Sequence, residues 1–189
     1  PKIVPLTNKN IFSSAVNISK SLELSEIDHC LNIMPLFHIH GLIAILATSM
    51  KVGASVCASN GFNAIKFLEL AKSEKITWYS GVPTMHQAIL LRTEKNLELA
   101  KDLKLRFLRS SSASLPPAIF KKLNSIFKCP VIEAYGMTEA THQMTSNPLP
   151  PKIQKPGFVG IPAGPDVCIM DDNDKILNQG EIGEVCIKG

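Results

Sequence analysis

The apolar positions of this chain alternate between two periods. Short β-favouring runs at 29–34, 54–58, 76–80, 105–109 and 131–134 read as buried strands. Between them the apolar residues recur at helical spacing. Ile11, Ala15, Ile18 and Leu22 follow an N-cap candidate at Leu6-Thr7-Asn8, and an apolar helix runs from Gly41 to about Met50. Ile65, Leu68 and Ala71 mark a helix over 63–73, and Gly81-Val82-Pro83-Thr84 opens another. Pro116 and Pro117 begin a helix ending near Phe127, proline being tolerated in a first turn. Strands alternating with helices of about ten to fifteen residues predict βαβ units. The expected fold is therefore α/β, a largely parallel sheet flanked by helices, followed by a short antiparallel β segment.

The pattern changes after Asn147. Pro148-Leu149-Pro150-Pro151 and Lys155-Pro156-Gly157 break structure, and 159–162, 166–170 and 184–188 read as short antiparallel strands. This predicts an α/β part over 1–150 and the start of a β-rich subdomain over 151–189. Asp171-Asp172-Asn173-Asp174 superficially suggests a calcium loop, but the glycine and closing glutamate are missing at the required offsets. A polar hairpin turn is the better reading.

Composition narrows the class. With 45% hydrophobic and 19% charged residues among 189, the chain can bury a core. The net charge of +4 is mild, and Lys72, Lys75, Lys121 and Lys122 are scattered over helices as solvated faces, so no nucleic-acid surface is expected. Five widely spaced cysteines without a Cys-x-x-Cys pair point to a reducing compartment. No signal peptide is visible, and the longest apolar run, 41–47, is far too short to span a membrane. A cytoplasmic location is expected, with the peroxisome as the alternative in a eukaryote. The chain opens on Pro1-Lys2 without methionine and stops within a strand-like pattern, so a piece of a longer protein is expected.

The densest chemistry is Ala134-Tyr135-Gly136-Met137-Thr138-Glu139-Ala140-Thr141-His142. These residue types suit a nucleotide: a ring to stack on a base, a glycine for close approach, a hydroxyl for phosphate, a carboxylate for Mg²⁺. Right-handed crossovers place strand C-termini on one edge. The His38/His40 segment, the Gly81 loop, the cluster Ser110-Ser111-Ser112-Ala113-Ser114 and the Tyr135 loop all follow strands. They should line one crevice. His38 and His40 have the spacing of a metal pair, but no third ligand stands nearby. For His142 two readings stand, a pocket donor and a solvent-facing loop histidine.

Tyr135-Gly136-Met137-Thr138-Glu139 resembles the signature of the adenylate-forming acyl-CoA synthetases, the group that includes firefly luciferase and the plant coumarate ligases. Four further segments agree in order. Pro1 to Thr7 looks like the tail of the family's phosphate loop, and Pro35-Leu36-Phe37-His38-Ile39-His40-Gly41 and Gly81-Val82-Pro83-Thr84 match later motifs. Gly180 to Gly189 resembles its Gly-Glu-Leu-x-x-Arg-Gly segment, with lysine in place of arginine. The stretches 109–115 and 140–150 look most like the oxalate–CoA ligases, also described as peroxisomal-type CoA synthetases. Medium-chain or aryl acid ligases are the alternative.

The resemblance implies an AMP-forming acid–CoA ligase using ATP, Mg²⁺ and coenzyme A on a small carboxylate. It implies Tyr135 on adenine, Thr138 on the α-phosphate and Glu139 on the metal. Nucleotide contacts are implied for Lys2, Ser112, Ala113, Ala134, Gly136 and Met137. His38, His40, Ser110, Ser111, Thr141 and His142 would surround the acid, with Thr138, Glu139 and His40 catalytic. It further implies that the main phosphate loop lies upstream and that the ribose-binding aspartate, hinge and lid domain lie downstream, so that the 189 residues alone are inactive. A non-catalytic interaction module on the same fold is the rival reading, and Thr138 with Glu139 argue against it. A luciferase-like oxygenase or a carrier-protein adenylating domain would be decided by parts outside the chain.

Overall fold

The computed structural model describes residues 2–189, so Pro1 of the first motif lies outside the described residues. Helix α1 (Asn8–Ser21) begins with a capping box in which the Thr7 hydroxyl accepts from Asn10 N–H and the Asn10 side chain accepts from Thr7 N–H. The strands β1 (His29–Asn32), β2 (Ser55–Ala58), β3 (Trp78–Gly81), β4 (Phe107–Ser110) and β5 (Val131–Met137) pair with one another in parallel. Antiparallel β6 (His142–Ser146) and β7 (Ile161–Pro162) extend the sheet, in the order β2-β1-β3-β4-β5-β6-β7. A separate hairpin pairs β8 (Asp166–Met170) with β9 (Glu184–Lys188). The fold is the expected α/β architecture with a short antiparallel segment after it.

Strand alternation divides the core between the two sheet faces. Leu31, Tyr79, Leu108 and Val131 face α3 (Phe67–Ser73), α4 (Pro83–Thr93), α5 (Leu97–Lys101) and α6 (Pro117–Phe127). Cys30, Trp78, Phe107 and Ile132 face α1 and the helical segment that follows β1. Ser80 and Arg109, two residues beyond Trp78 and Phe107, share that second face at its C-terminal end. At the opposite end Arg106 grips the buried Asp28 through Nε–Oδ1 at 2.9 Å and Nη2–Oδ2 at 3.1 Å, tying the start of β4 to β1.

Three local expectations need correction. The helix expected after Gly41 is π-helical over His40–Ala47 before becoming α2 (Thr48–Lys51). Its first turn rests on the preceding loop, where a Cβ on Gly41 would come within 2.5 Å of the Pro35 carbonyl oxygen. The helix expected over 63–73 begins at Phe67, because the Asn63 carboxamide accepts from Ile65 and Lys66 N–H and holds a turn there. The stretch expected as a loop after β5 is instead a β-hairpin. β5 continues to Met137, a 3₁₀ turn covers Thr138–Ala140, and β6 returns alongside it. The register shifts between Tyr135 and Gly136, and a Cβ on Gly136 would collide with the His142 carbonyl. Only glycine admits that approach.

The Asp171 turn is polar as expected, its Oδ1 accepting from Asn173 and Lys175 N–H at 2.9 Å each. Among the described residues no three His, Cys, Asp or Glu side chains converge to hold a metal. No helix among them is long and apolar enough to cross a membrane.

Candidate active site

The strand ends converge on a buried polar cluster. Arg109 on β4 is fully buried and sits in register with Ser80 on β3. Its Nη1 lies 3.4 Å from Ser80 Oγ and 3.4 Å from His40 Nε2, and its Nη2 donates to Gln143 Oε1 at 3.2 Å. Ser80 Oγ is 2.6 Å from His40 Nε2, and the other ring nitrogen, Nδ1, is 3.1 Å from Ser112 Oγ. Gln143 is oriented from behind by donating to Ser21 Oγ and the Ala163 carbonyl. Among the described residues Arg109 has no carboxylate partner, and its Nε lacks any hydrogen bond. Burial pushes its pKa down to about 9, so it remains charged at neutral pH.

His142 stacks obliquely beside His40 at 5.3 Å between ring centroids, is 2% exposed, and its Nδ1 has no hydrogen-bond partner among the described residues. The solvent-facing reading is corrected here. The hairpin turns inward at Thr141 and His142, both with positive φ, and Ser14 Oγ on α1 pins the Thr141 carbonyl at 2.6 Å. Burial, and then the Arg109 charge, hold both His40 and His142 well below the ordinary histidine range. They are neutral rings beside an uncompensated cation. His38 is exposed, and its Nδ1 accepts from His40 N–H at 3.0 Å.

Next to this cluster a cavity of about 270 Å³ is lined by Tyr135, Gly136, Ala134, Ser112 and Ala113, among others. Tyr135 is partly exposed along it. Ser111 is buried and donates to the Ala134 carbonyl at 3.0 Å, which ties the serine loop to β5. Ser110 is buried, and its hydroxyl has no partner among the described residues. Thr138 and Glu139 occupy the exposed 3₁₀ turn that follows β5, the outer end of this region, where Lys2 Nζ reaches Glu139 Oε1 at 3.4 Å. The Glu139 carboxyl is held below its usual range, first by its own backbone N–H and then by Lys2. An exposed pair of this kind adds little to stability.

The residues singled out from the sequence thus fall into three neighbouring groups: His40, His142, Thr141 and the serine loop inside, Tyr135 with Ala134, Gly136 and Ala113 along the cavity, and Thr138, Glu139 and Lys2 at the outer end. Met137 and His38 stand exposed at the edges. Arg109, Ser80 and Gln143 escaped the sequence reading. For Arg109 a signal was present, since a charge in the middle of a strand buried on both faces is unusual.

Comparison with known proteins identifies relatives of the sequence and of the fold. The model of the AMP-binding enzyme family matches residues 1–189. The chain is 44% identical over its whole length to an oxalate–CoA ligase of Saccharomyces cerevisiae, covering 34% of that protein. It is 47% identical to one of Arabidopsis thaliana, covering 37%. The chain therefore spans about a third of the length of these curated relatives. Among solved structures it matches ATP-bound MatB from Rhodopseudomonas palustris with a TM-score of 0.88 and 27% identity, over 97% of this chain and 36% of that one. It also matches an O-succinylbenzoate coenzyme A synthetase from Bacillus subtilis in complex with ATP and magnesium ion, with a TM-score of 0.85 and 27% identity, over 98% and 38% of the two chains.

Proposed function

Because this chain belongs to the AMP-binding enzyme family, whose model its whole length matches, we propose that it is the acid- and adenine-binding part of an AMP-forming acid–CoA ligase. In the first half-reaction the acid's carboxylate attacks the α-phosphorus of ATP, giving an acyl-adenylate and pyrophosphate. In the second, the CoA thiolate attacks the acyl carbonyl and AMP leaves. The main obstacle is charge, since one anion must approach another, and preorganised donors lower it.

In this reading Tyr135 stacks on adenine over the 270 Å³ cavity. The backbone of Ser112, Ala113 and 134–137 frames the base. Thr138 donates its hydroxyl to the α-phosphate, and Lys2 neutralises phosphate charge at the outer end. Glu139 would hold Mg²⁺, which when bound supplies charge neutralisation between the phosphates. One exposed carboxylate suits that ion, which keeps several waters and takes other ligands from substrate phosphates. His40, His142, Ser110, Ser111, Thr141 and His38 surround the acid.

We assign the acid as a small dianion, with oxalate the best candidate. One observation carries this: a fully buried guanidinium with no carboxylate partner among the described residues. A tunnel for an aliphatic tail gains nothing from such a charge, whereas an anion bound in the adjoining crevice is attracted by it across the intervening side chains. The identity to two oxalate–CoA ligases supports the same reading.

The test is AMP release by the complete protein that carries this chain, with oxalate, short fatty acids and aryl acids offered in parallel. Oxalate should give the highest kcat/KM. A preference for aliphatic or aryl acids would overturn the oxalate assignment. His142→Ala should lower kcat/KM for oxalate by about tenfold or more while leaving the KM for ATP unchanged. Equal losses for both substrates, or none, would remove His142 from the acid pocket.

A further inference from the structure

The hydrogen bonds around His40 have a direction. A guanidinium only donates. Arg109 Nη1 faces both Ser80 Oγ and His40 Nε2, so neither contact is satisfied unless those atoms accept. Ser80 Oγ, accepting from Arg109, has its own proton free to give to Nε2 at 2.6 Å. Nε2 then shares its one lone pair between a short bond from Ser80 and a longer one from Arg109 and carries no proton, which leaves the ring's one hydrogen on Nδ1. Nδ1–H in turn points at Ser112 Oγ, 3.1 Å away. With that oxygen accepting from His40, the Ser112 hydroxyl hydrogen is free to turn outward. Ser112 is exposed on the crevice wall and held at φ +71°, a conformation non-glycine residues rarely adopt.

We propose that Arg109 is a positioning residue that acts through Ser80 and His40 to present the Ser112 hydroxyl as a hydrogen-bond donor to a carboxylate bound in the crevice. Every link donates in the same sense, from the buried cation to the surface, and such chains polarise one another. The charge driving the chain is buried and has no carboxylate among the described residues; its second amino group donates to the neutral Gln143 carboxamide, and its Nε has no partner among them. The titratable and charged groups facing His40 are Arg109 from β4, His142 from β6, His86 from α4 and His38 from the adjoining loop. None of these is acidic, so nothing in the group favours an imidazolium. The role for Ser112 towards an acid rests on the reading of this crevice as an acid-binding site, whereas the direction of the chain does not.

The experiment therefore has two arms, both on the complete protein. In the first, ring-¹⁵N histidine NMR, with His40 assigned by its absence in His40→Gln, reports which nitrogen bears the proton. The expected result is a protonated Nδ1 and an unprotonated Nε2 from pH 6 to pH 8. A protonated Nε2 or an imidazolium in the unsubstituted protein overturns the proposal, whatever the variants do. Arg109→Met should release the ring to a mixture of tautomers, and Arg109→Lys should largely restore Nδ1–H. An unchanged tautomer in Arg109→Met also overturns it. In the second arm, Ser112→Ala, which keeps the backbone proposed to frame the base, should raise the KM for the acid about tenfold with a much smaller change in the KM for ATP, and adding Arg109→Met should then cost little more. Full additivity would show that Arg109 does not act through Ser112. If no acid is activated at all, the ligase reading fails while the NMR result still decides the direction of the chain.

Discussion

His40, His86 and His142 are buried as neutral rings, and this makes the folded state sensitive to acid. Burial pushes His86 down to about 4 from an ordinary 6.5, and His40 and His142 also lie well below that value. A histidine with a lowered folded pKa stabilises the fold above its unfolded pKa, and the contribution is lost as pH falls below it, because the unfolded chain takes up the proton first. For His86 the full difference corresponds to about 3 kcal/mol, present above pH 6.5 and gone by pH 4. Thermal melts should therefore show Tm falling between pH 7 and pH 5, before ordinary carboxylates titrate. His86→Gln should flatten that slope. A Tm unchanged across this range would show that the three rings are not held neutral by the fold.

At the level of elements, the hairpin β5–β6 decides whether the site exists. Gly136 lets the His142 backbone approach, and the inward turn at Thr141 and His142 carries the second imidazole to the first. Gly136→Ala should force the strands apart. We expect a loss of about 3 kcal/mol or more in urea unfolding, together with loss of ATP binding in the complete protein. The clamp at the opposite end of the sheet is separate. Arg106→Ala leaves the Asp28 carboxylate buried with only Ser25 and Thr77 as donors, and should cost about 3 kcal/mol without altering substrate preference. Comparing the two variants by denaturation and by AMP release separates damage to the fold from damage to the site. The hairpin itself was not legible in the sequence, because Thr138-Glu139-Ala140 reads as a polar loop and nothing local announces that His142 turns inward.

For the whole molecule, the turn with Thr138 and Glu139 and the apolar residues Phe158, Ile161, Ile182 and Val185 are exposed, and the chain is about a third as long as its curated relatives. Tested as the 189 residues alone, it is expected to give no ATP–pyrophosphate exchange, and exchange at a measurable rate would overturn the expectation that these residues are inactive by themselves. Periodicity and motif order were enough to determine the parallel sheet, its flanking helices, the convergence of four strand-end segments and the family resemblance. These depend on local propensity and on the handedness of crossovers, both written in consecutive residues. Only the tertiary structure decided the rest. Arg109 meets residues 29, 69 and 34 positions away in sequence, Ser80, His40 and Gln143. A buried charge with no carboxylate among the described residues, a neutral histidine pair and a one-way chain of donors are properties of which atoms end up adjacent and dry. That adjacency is created by strand register and by a glycine-permitted bulge, and no short stretch of the chain carries it.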